Sequence, residues 1–343
     1  MALGLQHFLR ACYWRLCDNP ADAAHMLGLL PGFLCRALRL SAGRLRVGRR
    51  PTVAIVLLER MGDIIAAEPV ARLARRRFAD ARICWIVQAP YASLPQSYPE
   101  VDDVVTVRCL TEWLLLQRLN LFDVVWNLHV NGFYCPHCRV PRNDPAVLPH
   151  LLDYYEHGSL LAVQCLSAGL PPLDEGPLLV PPPAAAAAVD ALALPPRCVV
   201  VHGVSTDPDR QWPPDKWAEL VARILAADSA VMVVEVGMQP VAIRRDGARQ
   251  RSLCGQLSIL ETAETIRRAA LFVGIDSGPA HLANAMATPG VVLLGRYRAF
   301  ARYMPFSGDY ASGARATVLQ AEGPAATLAV DEVFAAVMAR LRA

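Results

Sequence analysis

Three loops of this chain combine residue types that bind phosphate or move protons. They comprise residues 59–63, 202–213 and 276–281, and each follows an apolar run of strand length. In open α/β sheets, ligands bind beyond the carboxyl ends of the strands. The spacing therefore predicts that all three loops face one crevice.

The first loop, ERMGD, ends in a glycine and an acid. Gly62 permits a tight backbone turn, and Asp63 stands at the start of the following helix. A carboxylate in that place can act as a general base or serve only as a helix cap. The residues alone leave both interpretations open. Arg60 and Gly62 are candidates for contact with an acceptor.

The loop DSGPAH has the pattern of a phosphate-binding helix start. Asp276 or Ser277 caps the helix, and Pro279 occupies its favoured first turn. The N–H groups of such a helix end bind phosphate, and Gly278 has no side chain to keep a diphosphate away. Ordinary capping would leave Gly278 and His281 unexplained. The residues alone leave phosphate binding and ordinary capping both open.

The third loop adds small hydroxyl residues and a cation. Ser205 and Thr206 can approach phosphate, and Arg210 can form a charge-assisted, bidentate contact. Asp207 and Asp209 could be a metal-binding pair, but close carboxylates are common in loops. We expect no metal here.

Alternating strand and helix patterns surround these loops. They predict an α/β fold with two Rossmann-like domains, whose mostly parallel sheets face a central cleft. The predicted domains are residues 51–170 and 198–343, joined by a proline-rich linker at 171–197, with a helical appendage at 1–50. A helix is expected over residues 148–168.

Composition excludes several classes of protein. Of the 343 residues, 54% are hydrophobic and 19% charged, which is typical of a globular chain. The net charge of +3, without a dense basic stripe, argues against nucleic-acid binding. Ten scattered cysteines and the absence of a recognisable secretory signal predict a cytoplasmic protein.

Residues 1–50 carry eight arginines against Asp18 and Asp22, interspersed with apolar residues. This pattern is compatible with an anionic membrane surface at the inner face of the inner membrane. The simpler interpretation is a helical appendage packed on the main domain.

The chain resembles glycosyltransferase family 9, the ADP-heptose:lipopolysaccharide heptosyltransferases and their relatives, which have the GT-B fold. DSGPAHLA at 276–283 is similar to the family's most specific motif, and residues 53–87, 202–220 and 288–295 also fit. The resemblance covers about residues 52–342.

The resemblance implies a role for each loop. Asp63 becomes the candidate general base, and Arg210 lies near the donor diphosphate. The remaining donor-side roles fall to Asp276 at the sugar hydroxyls, to Ser277 and Gly278 at the pyrophosphate, and to His281 at the edge of the pocket.

The implied reaction is inverting and metal-independent, with no cofactor. It moves a sugar, heptose favoured, from a nucleotide-sugar, ADP-heptose favoured, to a glycan or glycolipid acceptor in lipopolysaccharide or surface polysaccharide assembly. Residues 59–63 lack the family's serines, and Arg296-Tyr297-Arg298 replaces its Pro-Thr, so the donor could differ. The alternatives are a non-catalytic nucleotide-sugar-binding protein and a nucleotide-sugar epimerase.

The segment Cys135-Pro136-His137-Cys138 has histidines nearby at 129, 150 and 157. Such a pattern can bind zinc or perform thiol redox chemistry, but the spacings fit no zinc module well. Because the segment follows a strand's carboxyl end, we favour an acceptor-side loop that includes His129.

Overall fold

The first domain contains a four-stranded parallel sheet. The structure, a computed structural model, describes residues 19–48, 50–243, 245–298, 300 and 302–342. The strand order is β3-β2-β1-β4. The strands are β1 (Thr52–Val56), β2 (Arg82–Val87), β3 (Asp103–Thr106) and β4 (Val124–Asn127). The central strand β1 is buried along its whole length, which explains its continuous apolar sequence.

The second domain contains a six-stranded parallel sheet in the order β10-β9-β8-β5-β6-β7. Both sheets confirm the predicted α/β class with two mostly parallel sheets. The strands are β5 (Cys198–His202), β6 (Met232–Glu235), β7 (Gln250–Ser252), β8 (Leu271–Ile275), β9 (Gly290–Leu294) and β10 (Ala316–Gln320). Strands β7 and β10 were not predicted, because their short and partly exposed sequences lack an apolar run.

Helices connect the strands and cover the sheets. They are α1 (Pro20–Leu27), α2 (Leu29–Val47), α3 (Met61–Ala66), α4 (Glu68–Arg77), α5 (Leu110–Gln117), α6 (Leu160–Ser167), α7 (Pro183–Asp190), α8 (Pro214–Ala227), α9 (Ile259–Arg267), α10 (Gly278–Ala285) and α11 (Val330–Arg342). Helix α3 begins after the loop that follows strand β1, and helix α10 begins after the short loop that follows strand β8. Their N-terminal ends therefore lie at the carboxyl edges of the two sheets.

The predicted helix over residues 148–168 is wrong in its first part. Only α6 is an α-helix there, and Tyr154–His157 forms a short 3₁₀ turn. Gly158 has a φ of +124°, a conformation that ends a helix. Of the apolar residues in this stretch, Tyr155 is buried, whereas Leu148 and Leu152 are exposed.

The predicted linker is partly structured and is held by both domains. Its alanine-rich part forms α7, which packs against α9. Before that helix, Arg72 Nη1 lies 2.8 Å from the Glu175 carboxylate, and Leu178 N donates to the Glu68 carboxylate at 2.8 Å. Ser307 Oγ of the second domain donates to Glu175 O at 2.9 Å. The linker is therefore anchored on two sides.

The predicted appendage is helical over its described part, as α1 and α2. Helix α2 is tied to the first domain by Arg44, whose guanidinium pairs with Asp123 at 2.7 Å. No helix among the described residues is both long and apolar enough to cross a membrane. The predicted surface function of residues 1–50 rests in part on the residues before Asn19, and these lie outside the described part.

Candidate active site between the two domains

The loops after β1 and β8 meet across the interface between the domains. A Cβ added to Gly62 would lie 2.8 Å from His281 Cδ2, and one added to Gly278 would clash with the Met61 side chain. Arg60 Nη1 donates to Thr206 Oγ1 at 2.6 Å. The structure thus brings together all three predicted loops.

Asp63 is a partly buried acid in the first turn of α3. Its Oδ2 accepts the backbone N–H of Arg60 at 3.2 Å, which closes the turn of the loop. Burial raises the pKa of Asp63 from 3.8 to about 6, because this bond and the Arg210 charge offset desolvation only in part. A carboxylate with this pKa is ionised at neutral pH and basic enough to take a proton.

Asp276 is the corresponding acid of the second domain, and it is only 2% exposed. Arg210 Nη1 lies 3.1 Å from its Oδ2, and the Tyr303 hydroxyl donates to the same oxygen. The Arg210 guanidinium stacks on the Tyr297 ring with its carbon 4.0 Å from the centroid. Burial alone lowers the pKa of Arg210, but Asp276 and the tyrosines raise it overall. The cation is permanent and fixed in place.

The N-terminal end of α10 lies between these two acids. Ser277 is its N-cap residue, but the Ser277 hydroxyl donates to Ile275 O and caps no N–H of the helix. Burial lowers the pKa of His281 to about 4, so the ring is neutral. Among the described residues, His281 Nδ1 and Arg210 Nε are buried without a hydrogen-bond partner. Such orphaned polar atoms are typical of functional sites.

A family model matches the part of the chain that supplies Asp276, Arg210 and helix α10. Residues 160–306, which include Arg210 and the whole of α10, match the model of glycosyltransferase family 9 (heptosyltransferase). The chain is a glycosyltransferase that resembles this family over residues 160–306. Among curated protein sequences, none matches this chain.

Solved structures share the fold of this glycosyltransferase over most of its length. A family 9 glycosyl transferase from Veillonella parvula superposes with a TM-score of 0.67 at 16% identity, covering 85% of this chain and 98% of the other. The E. coli ADP-heptose lps heptosyltransferase II superposes with a TM-score of 0.62 at 18% identity, covering 85% of this chain and 98% of the other. E. coli heptosyltransferase WaaC with ADP-2-deoxy-2-fluoro heptose superposes with a TM-score of 0.54 at 17% identity, covering 84% of this chain and 99% of the other. The fold is GT-B.

The glycosyltransferase places the other predicted donor residues at the rim of the site. Thr206 is exposed and bonded to Arg60, as described above. Ser205 is half-buried, and its hydroxyl accepts the backbone N–H of Asp207 at 3.1 Å. Ser205 therefore organises the loop, whereas Thr206 joins the two domains.

His129 occupies a different setting from the one predicted. It is 1% exposed, its Nε2 accepts the N–H of Leu58 at 2.9 Å, and its Nδ1 contacts Asn127 Oδ1 at 2.7 Å. Burial lowers the pKa of His129 to about 3. Both ring nitrogens are thus engaged inside the first domain, which favours a structural role over acceptor contact.

Two features of the glycosyltransferase site were not predicted. Glu59 lies beside Asp63, and burial raises the pKa of Glu59 well above its ordinary value, with the Asp63 charge adding to the effect. An aromatic cluster also surrounds Arg210, formed by Tyr154, Tyr155, Tyr297, Phe300 and Tyr303. The sequence signal for Glu59 was its position in the first loop. The aromatic residues come from distant segments and gave no local signal.

Proposed function

We propose that this glycosyltransferase moves a heptose from ADP-heptose to a hydroxyl of a glycan or glycolipid, with inversion and without a metal, in lipopolysaccharide or surface polysaccharide assembly. The observation that carries the proposal is the meeting of Asp63 with Arg210 and the end of α10 across the domain interface. The names of the E. coli structures that share the fold support the choice of donor.

In the proposed mechanism, Asp63 acts on the acceptor. Its carboxylate takes the proton of the acceptor hydroxyl as that oxygen attacks the anomeric carbon of the donor sugar. The new C–O bond forms while the bond between the anomeric carbon and the phosphate oxygen breaks on the opposite face. Attack from the opposite face inverts the anomeric centre. A positioned general base of this kind contributes about 10²–10⁴ in rate.

The second domain acts on the leaving group. The nucleoside diphosphate leaves with the electron pair of the broken bond, and Arg210 and the N–H groups at the start of α10 face that developing charge. Each charge-assisted hydrogen bond contributes about 1.5–3 kcal/mol. A fixed cation and a helix end can therefore replace a metal ion.

The central test is the variant Asp63→Asn, assayed for release of ADP from ADP-heptose in the presence of a lipopolysaccharide-precursor acceptor. We expect a loss of about 10²–10⁴ in kcat with donor affinity retained. The exposed acid Asp80, changed to Asn, serves as the control and keeps full activity. Unchanged turnover in Asp63→Asn, or donor isomerisation without acceptor, would overturn the proposal.

The donor is tested by thermal shift with nucleotide diphosphates. We expect ADP and ADP-heptose to raise the melting temperature, because a ligand that binds only the native state stabilises it. UDP, GDP and CMP compounds serve as controls at the same concentration. A response to one of these and not to ADP would contradict the heptosyl assignment and retain the broader activity.

We further propose that helix α2 rests on the inner face of the inner membrane. Leu34, Leu38 and Leu45 are 59%, 73% and 83% exposed and are spaced for one side of the helix. We expect flotation with phosphatidylglycerol vesicles and weaker flotation with neutral ones. The double variant Leu38→Ser/Leu45→Ser should lose binding, whereas Leu152→Ser, a comparably exposed control, should keep it. Equal flotation of all variants would contradict the proposal.

A further inference from the structure

Four potential metal ligands from three separate segments meet in the first domain. They are His25 of α1, Cys109 before α5, and Cys135 and Cys138 of the CPHC turn, and their ligand atoms all lie within 4.8 Å of one another. The three cysteines are buried and free of disulfides. We propose that this cluster is a structural zinc site, a feature distinct from the proposed metal-independent transfer site.

The distances fit a tetrahedral ion. Ligand atoms around a zinc with Zn–S bonds of about 2.3 Å lie about 3.8 Å apart. Cys109 Sγ and Cys138 Sγ are 3.9 Å apart, and Cys135 Sγ lies 3.7 Å from His25 Nε2. Both values match an edge of such a tetrahedron. They are far longer than a disulfide bond, which is about 2.05 Å.

The surroundings of the cluster fix its geometry. Arg139 N donates to Cys135 O at 2.7 Å, which closes a tight turn around the two CPHC cysteines. The His137 ring stacks on His25 with centroids 4.6 Å apart, and His137 Nδ1 contacts Asp22 of α1 at 2.9 Å. His137, the histidine inside the CPHC sequence, is thus a supporting residue rather than a ligand. Outer contacts of this kind orient metal ligands.

The first domain has a physical need for such a site. The segment between β4 and α6 is long and irregular, held in part by isolated bridges such as Tyr134 with Pro141. Among the described residues, the apolar cluster next to it comprises Met26, Leu29 and the three cysteines. A core this small stabilises little, and zinc with four protein ligands supplies folding free energy directly. The ion would join α1, α5 and the CPHC turn.

The first experiment measures metal content in the full-length protein, purified without chelators from zinc-supplemented cells. We expect about one zinc per chain by mass spectrometry, and a lower melting temperature after chelation that zinc restores. Cobalt substitution should give the absorption of tetrahedral cobalt with thiolate ligands. Iron in place of zinc, a disulfide between Cys109 and Cys138, or a metal-free protein that does not take up zinc would overturn the proposal.

Variants test the ligand set. His25→Gln and Cys109→Ser should each lower zinc affinity at least 100-fold in competition with a chelator. The matched control Cys35→Ser should keep one zinc per chain, because Cys35 is exposed and is not a proposed ligand. Loss of zinc in His137→Gln with retention in His25→Gln would refute the assignment. Because the measurements on the unmodified chain need no variant, a variant that fails to fold leaves the proposal testable.

Discussion

Each domain contributes one acid to the cleft, and the two acids differ in how far neighbouring groups compensate their charge. Asp276 is nearly inaccessible, but Arg210 and the Tyr303 hydroxyl compensate its charge. Among the described residues Asp63 forms no salt bridge, and the Arg60 guanidinium donates to Thr206 instead. The Asp63 carboxylate accepts backbone hydrogen bonds, including one from the N–H of Arg60 at 3.2 Å.

The charge of Asp276 is therefore stabilised by its neighbours, whereas the charge of Asp63 lowers the free energy of unfolding. The ion pair of Asp276 fixes Arg210 before any substrate arrives, so the second domain presents a finished binding surface. The raised pKa of Asp63 shows that folding works against its ionised form. The first domain therefore carries an energetic cost at the residue that we propose as the general base.

The largest expected effect concerns the stabilised acid. Asp276→Asn leaves the Arg210 cation without its partner in a mostly buried place, which we expect to cost about 3 kcal/mol of unfolding free energy. Urea denaturation checks the value. The control Asp331→Asn breaks the exposed pair with Arg223 and should cost less than about 1 kcal/mol. Similar losses in both variants would remove the distinction between the two acids.

For Asp63 we expect the opposite sign, because removing its charge should raise the free energy of unfolding. Because the folded-state pKa of Asp63 lies above its unfolded value of 3.8, ionisation of the carboxylate destabilises the fold progressively from about pH 4, and the full cost is present above about pH 6. Asp63→Asn should raise the unfolding free energy at pH 8 by about 1–3 kcal/mol, allowing for the partial exposure of the side chain. At pH 4 the gain should vanish. A destabilised variant at pH 8 would show that the charge is compensated after all.

The dependence of activity on pH sharpens the comparison further. Protonation of Asp63 should lower kcat/KM tenfold for each pH unit below about 6. His281 stays neutral over this range, because burial lowers its pKa to about 4. Donor affinity, measured separately, should change little between pH 5 and pH 8. An acid limb centred near pH 4 would mean that Asp63 is not the base.

The smallest effect concerns the bond that joins the two loops. Thr206→Val removes the exposed hydrogen bond from Arg60, which we expect to change stability by less than about 1 kcal/mol. Donor KM, measured by ADP release, should change less than about threefold. A loss above 30-fold would instead support the direct donor contact predicted for Thr206.

Local signals explain why most of the fold could be predicted from the sequence. Strand β5 coincides with an apolar run, and helix α8 begins at a proline. The motif at 276–281 is likewise a local unit of strand end, cap and helix. The first domain's segment from 128 to 159 has no such repeating pattern, and the expected helix there was partly wrong.

Contacts between distant segments account for what was missed in the sites. The zinc interpretation paired the CPHC cysteines with histidines 129, 150 and 157, whereas the structure brings in His25 and Cys109. These two residues have no spacing relation to the CPHC turn, so only folding reveals the set. The same holds for Tyr155 and Tyr303, which meet edge to face from different domains.

The aromatic cluster around Arg210 draws its rings from both domains. Any motion that parts the domains to admit a substrate would expose those rings to water, and apolar exposure raises the heat capacity. Calorimetric enthalpies of ADP binding should then vary steeply with temperature. The aromatic rings that hold Arg210 would thus contribute to the thermodynamic signature of substrate entry.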